Sequence, residues 1–238
     1  MQLIEPDWPA PTSVRAFTTT RQGGFSGGAW SSLNLGFRSG DDPGDVEKNH
    51  QRLTSHLPSR PQWLQQVHGS KVVTHSGRVG QDLEADAIVS FSSGQVCAVQ
   101  TADCLPVLFC NRSGNRVAAA HAGWRGLARG VLQTTVNAMR DEPQEILAWL
   151  GPAIGPDVYE VGDDVRQAFP AQQACFSAHG NRWLLDLYGV ARHKLSELGI
   201  SQIYGGAYCT YSDSERFFSY RRDGETGRMA SLIWIESP

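Results

Sequence analysis

The stretch "TADCLPVLFCNRSGNRVAAAHAGWRG" (residues 101–126) contains two apolar runs separated by a polar turn. Residues 105–110 and 117–120 are β-type runs, and "NRSGNR" between them supplies the Asn, Ser and Gly that favour turns. The pattern predicts a β-hairpin. With its turn centred near residue 113, Cys104 and His121 fall opposite or nearly opposite each other at the open end. Side chains so placed have Cβ atoms about 5 Å apart, close enough to share one ligand.

Outward from this hairpin, short β-type runs recur at 14–19, 63–67, 71–74, 87–90, 96–100, 146–150, 183–185, 203–204, 217–220 and 231–235. Helical periodicity is rarer. Residues 127–140 place Leu127, Val131, Leu132, Thr135 and Met139 on one face. Residues 187–198 repeat the pattern, with Asp186 as N-cap and Gly199 as the stop. Further helices are predicted over 163–169 and 45–56. Strands outnumber helices without regular βαβ alternation, which indicates an α+β sandwich. No repeat or long linker divides the chain, so residues 1–238 read as one domain. The Gly-rich segment "TRQGGFSGGAWSSLNLG" (20–36) reads as a surface or active-site loop.

The 238 residues are 40% hydrophobic and 19% charged, with a net charge of −3, a balance that supports a globular core. No basic block offers an electrostatic footprint for nucleic acid, so a small-molecule partner is expected. The most apolar segment, "VCAVQTADCLPVLFC", is interrupted by Asp103 and too short for a bilayer. The opening "MQLIEPDWPAPTSV" has acids and prolines where a secretory signal has a basic flank and an apolar run, so a cytoplasmic location is expected. Five scattered cysteines, an odd number, do not form a disulfide framework. No heptad or broad apolar stripe defines an oligomeric state.

"WLQQVHGSKVV" (63–73) predicts a strand ending at His68 beside a Gly-Ser turn. His68, Cys104 and His121 together make a His₂Cys set, three ligands with a fourth position open. That is the count of a catalytic zinc site, where bound water titrates near pH ~7. Cys97, Cys110, Cys175 and Cys209 read as small core residues. A competing reading makes Cys104 a nucleophile, His121 its base, and Asp103 or Asp86 the orienting acid. No nucleophile-elbow motif surrounds Cys104. Arg21 and Asn34 border the Gly-rich loop, and Asp86 closes "LEAD" before a β run. Arg125 follows "HAGW" ahead of a helix, where a guanidinium and helix-end amides suit an anion. "FFSYRRDGETGRM" (217–229) predicts a hairpin with Arg221 and Arg222 at its tip. "GPAIGPDVYEVG" lacks the Gly-Lys-Ser/Thr ending of a phosphate loop and reads as turns.

The motifs "WLQQVHG", "TADCLPVLF", "AAAHAGWRG", "LGPAIGPDVYEVG", "GGAYCTY" and "FFSYRRDGETGRMASLIW" resemble those of the YfiH family, from about residue 2 onward. Its members have been called multicopper polyphenol oxidases or laccase-domain proteins, and also purine nucleoside phosphorylases. The resemblance implies an α/β/β/α sandwich of two mixed sheets, related to the deamidase domain of cytotoxic necrotizing factor-type toxins. It implies zinc ligands at His68, Cys104 and His121, with copper as another metal for the same ligands. It further implies a nucleoside and phosphate as substrates: phosphorolysis of adenosine, inosine, guanosine and methylthioadenosine, and deamination of adenosine.

Under that reading an arginine (Arg21, Arg125 or Arg221) neutralises phosphate, Asp86 or Asp103 moves a proton, and Asn34 belongs to the polar rim. Tyr159, Phe217 and Tyr220 are the candidates for stacking on a base. Two alternatives stand beside it: a cysteine-dependent amidase editing a cell-wall precursor, and a copper-dependent polyphenol oxidase. The seven histidines (50, 56, 68, 75, 121, 179 and 193) include no His-X-His pair, the hallmark of a three-copper oxygen site.

Overall fold

The hairpin is the centre of a six-stranded sheet, and every residue of its two strands is buried. A strand covered on both faces needs a continuous apolar run, which "LPVLFC" and "VAAA" supply. The structure, a computed structural model, describes residues 1–78, 80 and 83–237. Its strands are β1 (Leu3–Ile4), β2 (Val14–Thr19), β3 (Leu64–Gln65), β4 (Val72–Thr74), β5 (Leu83–Glu84), β6 (Ala87–Ser90), β7 (Cys97–Thr101), β8 (Leu105–Asn111) and β9 (Val117–Ala122). They continue as β10 (Ile146–Leu150), β11 (Glu160–Val161), β12 (Phe176–His179), β13 (Arg182–Leu185), β14 (Gln202–Gly205) and β15 (Met229–Ile235). The helices are α1 (Pro43–Thr54), α2 (Trp124–Ala128), α3 (Val131–Met139), α4 (Asp163–Gln167), α5 (Leu187–Glu197) and α6 (Tyr220–Asp223).

The large sheet has the order β14-β10-β8-β9-β6-β4, and a four-stranded sheet has the order β1-β2-β15-β7. Between them lie Ile88, Val99, Leu108, Trp149 and Ile233. The far face of the large sheet presents Val89, Val107 and Phe109 to Leu127, Val136 and Leu195 of α2, α3 and α5. On the far face of the small sheet, Phe17, Ala98 and Leu232 pack with Leu53 of α1. The layers are therefore α/β/β/α, as expected. Each fully buried Leu, Val or Phe contributes about 1.5–3 kcal/mol of transfer free energy to this stack.

Several sequence expectations need correction. The helix predicted over 127–140 is two helices, α2 and α3, because Gly130 between them adopts φ +84°. The hairpin predicted over 217–229 is absent. Ser219 caps the short helix α6 by accepting from the Arg222 amide, and its Arg222 guanidinium takes the carbonyls of Thr210, Tyr211 and Phe217. The strand predicted over 63–67 narrows to β3, which pairs with β5 in a two-stranded ribbon. The register of the central hairpin also differs. Leu105 faces Ala122 and Pro106 faces His121, so Cys104 lies opposite Gly123 and diagonal to His121. Asn111 Oδ1 accepts from the Asn115 and Arg116 amides, which closes a turn centred between residues 113 and 114. Asp186 caps α5 and Gly199 ends it at φ +87°, as read from the sequence.

Candidate metal centre and its cavity

The chain crosses from the small sheet to the large one through residues 102–104, between β7 and β8. Asp103 makes the turn at φ +87° and is pinned on both carboxylate oxygens. The Thr210 hydroxyl donates to one at 2.6 Å, and the Arg221 amide donates to the other at 2.7 Å. Cys104 is thereby presented at the seam between the two sheets. His121 is the next-to-last residue of β9 and points to the same seam as Ala119 and Val117, two and four residues earlier.

His68 arrives from the turn after β3 and adopts φ +57°, a left-handed conformation that costs about 1–3 kcal/mol for a non-glycine residue. Asp86 compensates. Its fully buried carboxylate accepts the amides of Val67, His68 and Gly69 at 3.2, 2.9 and 2.6 Å. It also accepts His121 Nδ1–H at 2.8 Å, leaving His121 Nε2 free to bind a ligand. Burial raises the Asp86 pKa, but His121 and the amides of Gly69 and Val67 outweigh it and keep the acid ionised.

The donor atoms of His68, Cys104 and His121 all lie within 4.8 Å of one another, with Cys104 Sγ 3.9 Å from His68 Nε2. The two imidazole rings meet edge to face at 4.8 Å. Burial alone would push the Cys104 thiol up. The His121 and His68 imidazoles outweigh that effect and bring it down to about 6. His121 moves the other way: burial lowers it, while Cys104 and Asp86 raise it to about 9. Two imidazoles, a thiolate and a carboxylate behind one imidazole are a donor set that could hold a metal ion with one tetrahedral position left open. Among the described residues, no other group of three His, Cys, Asp or Glu side chains converges in this way.

Gly123 belongs to the same construction. A Cβ there would lie 2.7 Å from Cys104 Sγ and 3.5 Å from His68 Cδ2, so only glycine leaves the thiol in place.

The three side chains form one end of a cavity of about 610 Å³. Its walls include Phe37, Trp63, Gln66, Gln100, Tyr220 and Arg228. Phe37 and Tyr220 expose 52% and 62% of their surface, apolar area at the cavity that a bound ligand could cover. Sequence reasoning named Tyr220 but missed Phe37, Gln100 and Arg228. Arg228 stood inside a quoted motif, immediately before the apolar run of β15, and that position was its only signal.

The other expected residues lie elsewhere. Arg21 lines a separate surface recess with Ser32 and Glu215, donating to the Ser31 and Ser214 carbonyls. Asn34 is fully buried and braces the loop that carries Phe37, accepting from the amides of Gly36 and Arg228. Arg125 is exposed, its guanidinium 4.4 Å from the Trp124 ring centre. Arg221 is exposed over Tyr159 and donates to the Glu160 carbonyl. Phe217 is sealed in the core. Asp86, and not Asp103, orients His121. Cys97 and Cys110 are buried core thiols; Cys175 and Cys209 are half-buried, and Cys209 Sγ accepts the Gly155 amide.

A family model described as multi-copper polyphenol oxidoreductase laccase matches residues 15–236, which include His68, Cys104 and His121, the whole large sheet and the small sheet apart from β1 and the first residue of β2. The chain is 55% identical to purine nucleoside phosphorylase YfiH of Escherichia coli K12 over 240 residues, 98% of this chain and 99% of that one. It belongs to the YfiH family. A Pseudomonas aeruginosa purine nucleoside phosphorylase is 53% identical over 98% of both chains. Among solved structures, a Neisseria meningitidis family member of the DUF152 group superposes with a TM-score of 0.96 at 48% identity, over the whole of both chains. YlmD of Geobacillus stearothermophilus gives 0.89 at 32% identity, over 96% of this chain and 94% of that one. The family description names several coppers. This member brings together three side chains that could hold one ion, among histidines that include no His-X-His pair. Among the described residues, no helix is long and apolar enough to cross a membrane.

Proposed function

We propose that the chain is a zinc-dependent purine nucleoside phosphorylase acting on adenosine, inosine, guanosine and methylthioadenosine, with adenosine deamination as a second activity. The observation that carries this reading is the joining of a His₂Cys cluster to an aromatic-walled cavity of about 610 Å³. Such a volume suits a nucleoside-sized ligand. The names of relatives that match it over nearly their whole length support the same reading.

Tyr220 and Phe37 would flank the base, their exposed faces being the apolar surface that a purine covers. The ribose would then lie toward His68, Cys104 and His121. Zinc held by these three would supply Lewis acidity at a substrate oxygen. Asp86 keeps His121 in one tautomer and His68 in its left-handed turn, so the cluster is preorganised before substrate arrives. Asp103, with both oxygens engaged, holds the Cys104 turn in place.

A second reading has one observation of its own. The lowered Cys104 thiol beside the Asp86-held His121 is also the pairing of a cysteine amidase. The deciding experiment is chromatography of adenosine incubated with purified, metal-analysed protein, with and without phosphate. Phosphate-dependent adenine and ribose 1-phosphate are expected, with phosphate-independent inosine from deamination. Intact adenosine in both tubes would overturn the nucleoside reading and leave the amidase.

A further inference from the structure

We propose that Arg228 is the phosphate-binding residue of this site, held in the cavity wall beside the His68, Cys104 and His121 cluster. The inference rests on the phosphorolysis reading and replaces the three arginines expected from the sequence.

Arg228 lines the same cavity as the cluster, whereas Arg21, Arg125 and Arg221 are not part of its lining. Its position is built from several sides. Asn34 Oδ1 accepts its amide at 2.9 Å and the Gly36 amide at 2.9 Å, locking the two segments together. A Cβ at Gly36 would lie 2.6 Å from Arg228 Cγ, so glycine there makes the channel for the arginine stem. One terminal nitrogen donates to the carbonyls of Thr226 and Gly227, at 2.9 Å each, which fixes the plane of the guanidinium.

Among the described residues no carboxylate neutralises this half-buried cation; its side-chain bonds go to carbonyls alone. Burial lowers its pKa, and the Cys104, Asp103 and Tyr220 charges act in the opposite sense without offsetting that effect. Arg38, the other arginine of the lining, is exposed. A guanidinium with an unused edge fits two oxygens of a phosphate side by side. From there, hydrogen phosphate would form the O–C1′ bond as C1′–N9 breaks. The electron pair leaves with the base, and the proton carried by the phosphate ends on that base.

The test compares the wild type with Arg228→Gln and Arg228→Lys in steady-state phosphorolysis, together with equilibrium dialysis of adenosine in the absence of phosphate. We expect the phosphate KM of Arg228→Gln to rise roughly tenfold or more, with partial recovery in Arg228→Lys and adenosine affinity unchanged in both. An unchanged phosphate KM, or adenosine affinity falling in step with it, would overturn the assignment. If the wild type releases no base, the phosphorolysis reading falls separately, and calorimetry with inorganic phosphate alone still decides the site. Binding to the wild type but not to Arg228→Gln supports it, and no binding to the wild type ends it.

Discussion

Asp86 and His121 are joined twice: the His121 amide donates to the Asp86 carbonyl at 2.7 Å, and His121 Nδ1–H donates to the Asp86 carboxylate at 2.8 Å. The same carboxylate collects three successive amides around His68. One buried acid therefore places two ligands. Asp86→Asn keeps the shape but removes the charge, and its amide nitrogen meets donors it cannot accept. Metal affinity should fall about 10–100-fold, as when comparable supporting partners of a metal ligand are removed. Chelator competition followed by metal analysis checks this; wild-type affinity in the variant would refute the role.

Cys104→Ala should abolish metal binding and phosphorolysis together while leaving the circular dichroism spectrum intact. Full activity in a metal-free Cys104→Ala protein would remove the whole scheme.

The thiol also has a pH signature. With His121 and His68 bringing Cys104 down to about 6, iodoacetamide labelling of metal-free protein should switch on as pH rises through that value. At neutral pH Cys104 should label before the buried Cys97 and Cys110, whose thiols burial pushes up. Metal should protect it. Labelling at the same rate with and without metal would favour a free nucleophile.

Gly123→Ala places a methyl group 2.7 Å from Cys104 Sγ, at a backbone conformation alanine accepts easily. The expected loss is therefore local: weaker metal retention, with a melting temperature close to that of wild type in metal-free buffer. A large drop in that temperature would show that the glycine serves packing rather than the thiol.

Tyr220→Ala removes a ring exposed to 62% and should barely change stability. If the ring stacks on a base, nucleoside affinity falls by about 1–3 kcal/mol. Fluorescence or dialysis titration with inosine reads this directly, and an unchanged affinity would move the base subsite elsewhere in the cavity.

The convergence of His68, Cys104 and His121 was legible in the sequence because each member sits beside a local signal: His68 and Gly69, Asp103 before Cys104, His121 at the end of an alanine run. The α+β sandwich was legible through the apolar runs of β8, β9, β10 and β15, and its α/β/β/α layering came with the family resemblance. The cavity walls were not. Phe37, Gln100 and Arg228 converge from three distant segments, and only Arg228 has a local mark, its place before the apolar run of β15. The false hairpin at 217–229 failed for a similar reason. Its backbone is fixed by Asp103 and by carbonyls of residues 210 and 211, partners that no local periodicity reports. The hairpin register differs because the turn is centred between residues 113 and 114 rather than at 113, closed by the Asn111 side chain.

The order of the small sheet, β1-β2-β15-β7, puts a late segment of the chain in its middle. During synthesis, β2 and β7 therefore wait with their inner edges unpaired until residues 229–235 have left the ribosome. Arg228, at the threshold of that strand, arrives with it. The last inner strand of the sheet thus completes the wall of the cavity, and a nascent chain can hold all three metal ligands before it has a finished pocket.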